Sequence, residues 1–457
     1  PATGRSSCGA TGCRVTSLRA ERSDWPRRAG ATALAVVVLA AIVALRRPTG
    51  LTQSTIWAED GQEFMAQAWS GLGPILEPYA GQFWPLQRSL AWLIGQAPAT
   101  WWPVLLYLTS ALVVGALAAI PLQSRAGALF GRWPFRLLLS LLIVLLPATF
   151  ETQGNITNLH WWALGSLLIV LALPEPRSRA GRVAELVFVA VVALTGPSGV
   201  LLLPVVLWRL LVGPRTRYLW LRSGLVLAAA VVAGVVAVAG GRAEGNDVVL
   251  ADLPAFLYQR WGGSLILGDN LMAHLGIGPT SVWLVPGGVL IVLLLVLAAV
   301  DWRGPSWAWL LVGLAAAVSG ALIGMRSGDG ASLLEPRNVE RYLLPLLFAS
   351  LLVMVRAIGV RPAGWPNSTG RLSLVTGIVA LALCTVGVAG DARLPTQGAA
   401  VDQAQLRALA PCYAGDPPYE SAVGCVVAIQ PDSWKLVILR PGYEELAEDL
   451  REQGTLR

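Results

Sequence analysis

Charge is what this chain has least of. Asp, Glu, Lys and Arg make up 13% of its 457 residues, about half the share of a soluble globular chain. Mean hydropathy is +0.61 and 55% of the residues are hydrophobic. Together these exclude a water-soluble globule. Lysine is nearly missing: Lys435 is the one lysine among 34 basic residues. The net charge of +7 does not form one basic patch, because the arginines recur between apolar runs. That pattern suits membrane orientation and excludes phosphate-backbone binding to nucleic acid. No GxGxxG and no P-loop is found, which disfavours a nucleotide-sugar donor bound in the cytoplasm. Histidine occurs twice and cysteine five times, with no metal-ligand spacing. Cys412 and Cys425 bracket the turn Ala-Gly-Asp-Pro-Pro-Tyr. They read as a disulfide if the tail lies outside the cytoplasm, and otherwise as two free thiols.

Long apolar runs are what the chain has instead. They cover Ala31–Leu45, Pro103–Ile120, Leu137–Thr149, Trp161–Leu173, Ala184–Thr195, Val200–Leu211, Ser223–Gly240, Pro279–Val300, Trp307–Gly324, Tyr342–Val355 and Ser373–Gly390. The expectation is an all-α polytopic membrane protein of about eleven transmembrane helices, several short enough to be broken or tilted. The stretch Gly196-Pro197-Ser198-Gly199 should split one hydrophobic segment into two short helices. Residues 1–30 read as a disordered cytoplasmic tail, 31–390 as the helical domain, and 391–457 as a small α+β extracytoplasmic cap. Ala31–Leu45 reads as an uncleaved anchor, since no small-x-small site follows it. In the tail, Val423–Ile429 and Lys435–Leu439 read as strands and Tyr443–Gln453 as an acidic helix.

With the N-terminus inside, alternate counting puts arginine in every inner loop, among them Arg125, Arg136, Arg215, Arg303 and Arg356. Most of the 27 acids then fall outside. The first outer loop, 46–100, opens with Trp57-Ala-Glu59-Asp60-Gly-Gln-Glu63-Phe. Acids at the lip of a bilayer mark a substrate site or, alternatively, a capped amphipathic surface helix. A second outer loop is Glu151-Thr-Gln-Gly-Asn155-Ile-Thr-Asn158-Leu-His160-Trp161-Trp162, and a third is Glu335-Pro-Arg337-Asn338-Val-Glu340-Arg341-Tyr342. His160 is either a packing histidine or part of the site. Arg337 and Arg341, one helical turn apart, either neutralise Glu335 and Glu340 or hold a lipid phosphate. Carboxylates facing cations suit transfer of a sugar from a lipid phosphate, the acid acting as general base.

The run Trp-Ala-Glu59-Asp60-Gly-Gln-Glu-Phe-Met-Ala-Gln-Ala-Trp-Ser-Gly resembles the modified aspartate motif of the GT-C glycosyltransferases. Arg341-Tyr342-Leu-Leu-Pro345 is similar to the Arg-Tyr-x-x-Pro stretch at a late span of that superfamily, and Asn-x-x-Asn-x-His-Trp is similar to bacterial members. The resemblance implies an inverting enzyme of the cytoplasmic membrane, using a polyprenyl-phosphate-linked sugar and a glycan, lipid or protein acceptor on the extracytoplasmic face. It implies Asp60, with Glu59, as the catalytic acids. His160, Arg337, Arg341 and Tyr342 would hold the donor phosphate, and Glu63, Asn155, Asn158 and Trp161 the substrate. The motif carries Glu-Asp where a DxD pair would be, so no metal ligands are assigned; a divalent cation (Mg or Mn) is the one cofactor left open. The rival readings are a lipid or polysaccharide flippase, which would show matching halves and mid-span charges, and a non-catalytic envelope scaffold.

Overall fold

The computed structural model describes residues 25–53, 55–239, 252–326, 332–360, 367–397, 400–413, 424–429 and 435–439. About 75% of the described residues are helical. The principal helices are α1 (Trp25–Arg46), α2 (Pro85–Gly95), α3 (Trp102–Ala118), α4 (Trp133–Val144), α5 (Leu159–Ala172), α6 (Arg179–Leu194) and α7 (Leu203–Val212). After them come α8 (Arg217–Ala239), α9 (Val285–Val300), α10 (Ser306–Arg326), α11 (Glu340–Gly359), α12 (Asn367–Leu383), α13 (Thr385–Gly390) and α14 (Gln403–Tyr413). Strands β1 (Gly424–Ala428) and β2 (Lys435–Leu439) pair antiparallel, with Val426 opposite Val437.

Among the described residues, six helices are long and apolar enough to cross a bilayer, and the number reaches eight if each of two bent pairs is one span. The expected count of about eleven is not reached by helix length and composition alone. A hydropathy run counts apolar residues, whereas crossing about 30 Å of hydrocarbon needs about 20 residues of continuous helix. The runs at 137–149, 161–173, 184–195 and 200–211 become α4, α5, α6 and α7, of 12, 14, 16 and 10 residues. The break at 196–199 is present, and the segments on either side meet at 108°. Gly196 takes the left-handed conformation there, at φ +61°. Helix α1 begins at Trp25, before the expected Ala31. The expected acidic helix Tyr443–Gln453 and tail residues 1–24 lie outside the described residues.

Helix α5 is the axis of the bundle. All fourteen of its residues are buried, as expected for a helix apolar on every side. Packed beside it, α11 is buried along nearly its whole length. Small residues allow the close approaches: a Cβ on Gly313 of α10 would lie 2.6 Å from the Leu346 backbone of α11. Outward-facing rows such as Val231, Val235 and Val238 of α8, and Val289, Val292 and Leu295 of α9, stay exposed. These rows recur at helical spacing and form an exposed apolar surface.

Charged groups gather at the two ends of the bundle. At one end Glu185 pairs with Arg125 and with Arg222 (2.8 Å), and Arg356 pairs with Asp301 (2.7 Å). Arg222 also donates to the Val170 and Leu171 carbonyls at the close of α5. Asp60, Glu151, His160, Arg341 and Asp391 gather at the other end.

The cap sits on that second end. Ile429 packs on Gly61, Tyr413 of α14 meets the Trp69 ring at 5.1 Å, and the Leu394 N–H donates to the Arg46 carbonyl. Cys412 and Cys425 are disulfide-bonded, closing α14 onto β1.

Candidate functional site

The site is built around a loop that has no regular structure and is almost wholly buried, residues 147–158. Backbone polar groups at such depth must be satisfied from within the protein, and charged side chains do this. The Ala148 N–H donates to Asp391 (2.7 Å) and the Glu151 N–H to Glu340 (2.9 Å). Arg46 donates to the Leu146 carbonyl, and Arg47 to those of Phe150 and Gln153. The loop ends on Asp60: the Ile156 N–H donates to Oδ2 (3.0 Å), and the Thr157 N–H (2.7 Å) and Oγ1–H (2.5 Å) donate to Oδ1. Burial pushes the Asp60 carboxyl up to about 7, against the pull of those hydrogen bonds. Burial also lowers Arg47 to about 10.

Thr157 joins the acid to the histidine. Its carbonyl accepts from His160 Nδ1 (2.9 Å) and from Gln87 Nε2 (3.1 Å) on α2. That bond assigns the ring hydrogen to Nδ1 and leaves Nε2 on the side of Gly196. Aromatic rings enclose the imidazole, Trp84 edge-on at 4.8 Å and Trp161 at 4.4 Å. Trp161 in turn meets Tyr342 at 5.8 Å, and the Arg341 guanidinium lies 5.1 Å over the Tyr342 ring. Arg341 is tied to the buried loop through Glu151, Nη1 to Oε1 at 2.5 Å.

Glu59 differs from its neighbour. It is half-buried, it interacts electrostatically with Arg341, and its Oε2 is enclosed with no hydrogen-bond partner. The Trp57 and Trp161 indole N–H groups and Gln87 Oε1 are buried and unpartnered as well. Orphaned polar atoms are uncommon in folded proteins; they occur in several parts of this one, and these four lie on the 57–63 segment, α2 and α5. Strain collects there too. The non-glycine residues with positive φ are Ala58 (29°), Ala80 (51°), Ala148 (53°), Arg337 (70°) and Val339 (49°). Such residues persist where the surroundings over-determine them, and they cluster at functional sites.

Several expected site residues come together: Glu59, Asp60, His160, Trp161, Arg341 and Tyr342. Others serve different ends. Asn155 and Asn158 turn inward, both donating to the Glu151 carbonyl. Glu63 pairs with the Tyr79 hydroxyl. Arg337 does not share a helix face with Arg341, because α11 starts only at Glu340. Its backbone N–H goes to Asp269 and its Nε to Asn270 (2.9 Å), so neither arginine neutralises the acid expected of it.

The sequence reading missed Thr157, Gln87, Glu151 and the buried Arg260–Asp269 pair (2.7 Å) beside Glu340. Glu151 and Thr157 stood inside the polar loop already singled out. Gln87 and Arg260 sit in apolar surroundings with no local pattern to mark them.

A hollow lined by Leu297, Asp301, Ser306, Val353 and Arg356 lies at the other end of α11, about 22 Å away at 1.5 Å per residue, and takes no part in this cluster. Among the described residues, no three His, Cys, Asp or Glu side chains are grouped to hold a metal ion. What the cluster offers chemically is a carboxylate with a free oxygen, a guanidinium in its field, and flat aromatic walls. No protein-family model matches the chain, and no curated protein matches it.

Proposed function

We propose that this protein is a multi-pass membrane glycosyltransferase that moves a sugar from a polyprenyl-phosphate donor to an extracytoplasmic acceptor with inversion at the anomeric carbon. The observation that carries the reading is the convergence of the Glu59–Asp60 pair and Arg341 in one buried, aromatic-walled cluster. In this reading one carboxylate of the pair draws the proton from the acceptor hydroxyl. The hydroxyl oxygen attacks the anomeric carbon from the face opposite the phosphate, and the bond to the phosphate oxygen breaks. Arg341 stabilises the charge that grows on the departing polyprenyl phosphate; its planar fork suits two phosphate oxygens. Trp161 and Tyr342 present ring faces and edges to the sugar. The exposed apolar rows of the bundle supply the lipid surface along which an isoprenoid tail would lie.

The test is turnover in nanodiscs. The purified protein is given radiolabelled polyprenyl-phosphate pentoses and hexoses with a mixed glycan acceptor, and released polyprenyl phosphate is measured. Wild type should release it, and Arg341→Ala should do so about 100-fold more slowly. A wild-type protein that neither binds these donors nor releases polyprenyl phosphate would remove the reading.

A further inference from the structure

Glu59 and Asp60 are adjacent in sequence and unlike in surroundings. Both Asp60 oxygens are occupied, Oδ2 by one backbone N–H and Oδ1 by the Thr157 N–H and hydroxyl, and the side chain is buried. Neither oxygen is open to an incoming hydroxyl, because each already faces a donor inside the protein. Glu59 keeps an oxygen with no hydrogen-bond partner and stands in the field of Arg341. Its backbone follows the strained Ala58, at φ 29°, so the direction in which Glu59 leaves the chain is held at an energetic cost.

Resting on the sugar-transfer reading above, we propose a division of labour: Glu59 is the catalytic carboxylate, and Asp60 is the positioning residue that clamps its turn to the buried loop. The acceptor hydroxyl gives its proton to Glu59 Oε2. The oxygen's electron pair forms the new glycosidic bond, and the pair of the broken anomeric bond leaves on polyprenyl phosphate beside Arg341. Asp60 acts through position alone, carrying the force of Ile156 and Thr157 into the turn that presents Glu59. The cap takes part in the same placement, since Ile429 rests on Gly61, the residue after Asp60.

Four variants separate the roles. Turnover and melting temperature are measured for Glu59→Gln, Asp60→Asn, Thr157→Val and Thr157→Ser in nanodiscs. Glu59→Gln should lose at least about 100-fold in kcat with donor KM and melting temperature unchanged. Asp60→Asn, which turns an NH2 toward one of the Ile156 and Thr157 donors, should lower the melting temperature while keeping turnover within about tenfold of wild type, as a group outside the proton transfer would. Thr157→Val should lower the melting temperature and kcat together, and Thr157→Ser should restore both. Wild-type rates in Glu59→Gln, or loss of turnover in Asp60→Asn at an unshifted melting temperature, would overturn the assignment. If wild type itself is inactive toward every donor, the sugar-transfer reading fails. The clamp is then still tested by the melting temperatures, where equal stability of Thr157→Val and wild type would refute it.

Discussion

At the scale of single residues, Asp60 makes the fold sensitive to pH. Its carboxyl sits at about 7 in the folded protein, from an ordinary value of 3.8. Between those values the folded chain holds a proton that the unfolded chain has released, so stability falls as pH rises. The contribution is complete below the lower value and gone above the upper one. We expect the wild-type melting temperature to drop between about pH 4 and about pH 7, and the Asp60→Asn variant to lack most of that drop. A parallel fall in both would place the titrating group elsewhere, with Asp391, also raised by burial, the next to examine. The acid pair, His160 and Arg341 were legible in the sequence because polar residues at the lip of an apolar run stand out. Their partners were not. That Glu151 takes Arg341, and Thr157 takes Asp60, depends on contacts across 190 and 97 residues of chain, which no local spacing encodes.

At the scale of elements, the turn Asp60–Phe64 and Ile429, the residue after β1, meet where Gly61 has no side chain. A Cβ there would run into Ile429 Cδ1. We expect Gly61→Ala to destabilise by about 1–3 kcal/mol, as overpacking does, and Ile429→Ala to relieve much of that in the double variant. Additive losses in thermal or denaturant melts would mean that the two do not share the space. Helix identity was largely legible, since α3, α8, α9, α10 and α11 fall on apolar runs. Their number as membrane spans was not, because α4 to α7 are shorter than the ~20 residues of continuous helix that a straight crossing takes. Side-chain hydrogen bonds that let a non-helical loop lie buried beside α5 are invisible to any hydropathy window.

At the scale of the whole molecule, the cap that rests on the bundle is closed on itself by the Cys412–Cys425 bridge between α14 and β1, which spans 13 residues. Loop-closure entropy for a ring of that size is worth about 3 kcal/mol. Cys425→Ser should therefore lower the melting temperature and leave the bundle inserted, which protease protection in proteoliposomes can check; an unchanged melt would show that packing alone holds the hairpin.

The bend at Gly196 carries a further consequence, one of parity. Its N–H donates to the Phe83 carbonyl at the end where Asp60 lies, while Glu185 of α6 and Trp208 of α7 are bound at the far end, Trp208 to the Arg303 carbonyl. The two arms thus form a V whose feet share one side, and together they add an even number of traverses. Were the V a single crossing, every later loop would change compartment, and Arg341 could not reach Glu151. Cysteines placed at Arg177 and at Arg215 should accordingly react with an impermeant maleimide from the same side of the membrane.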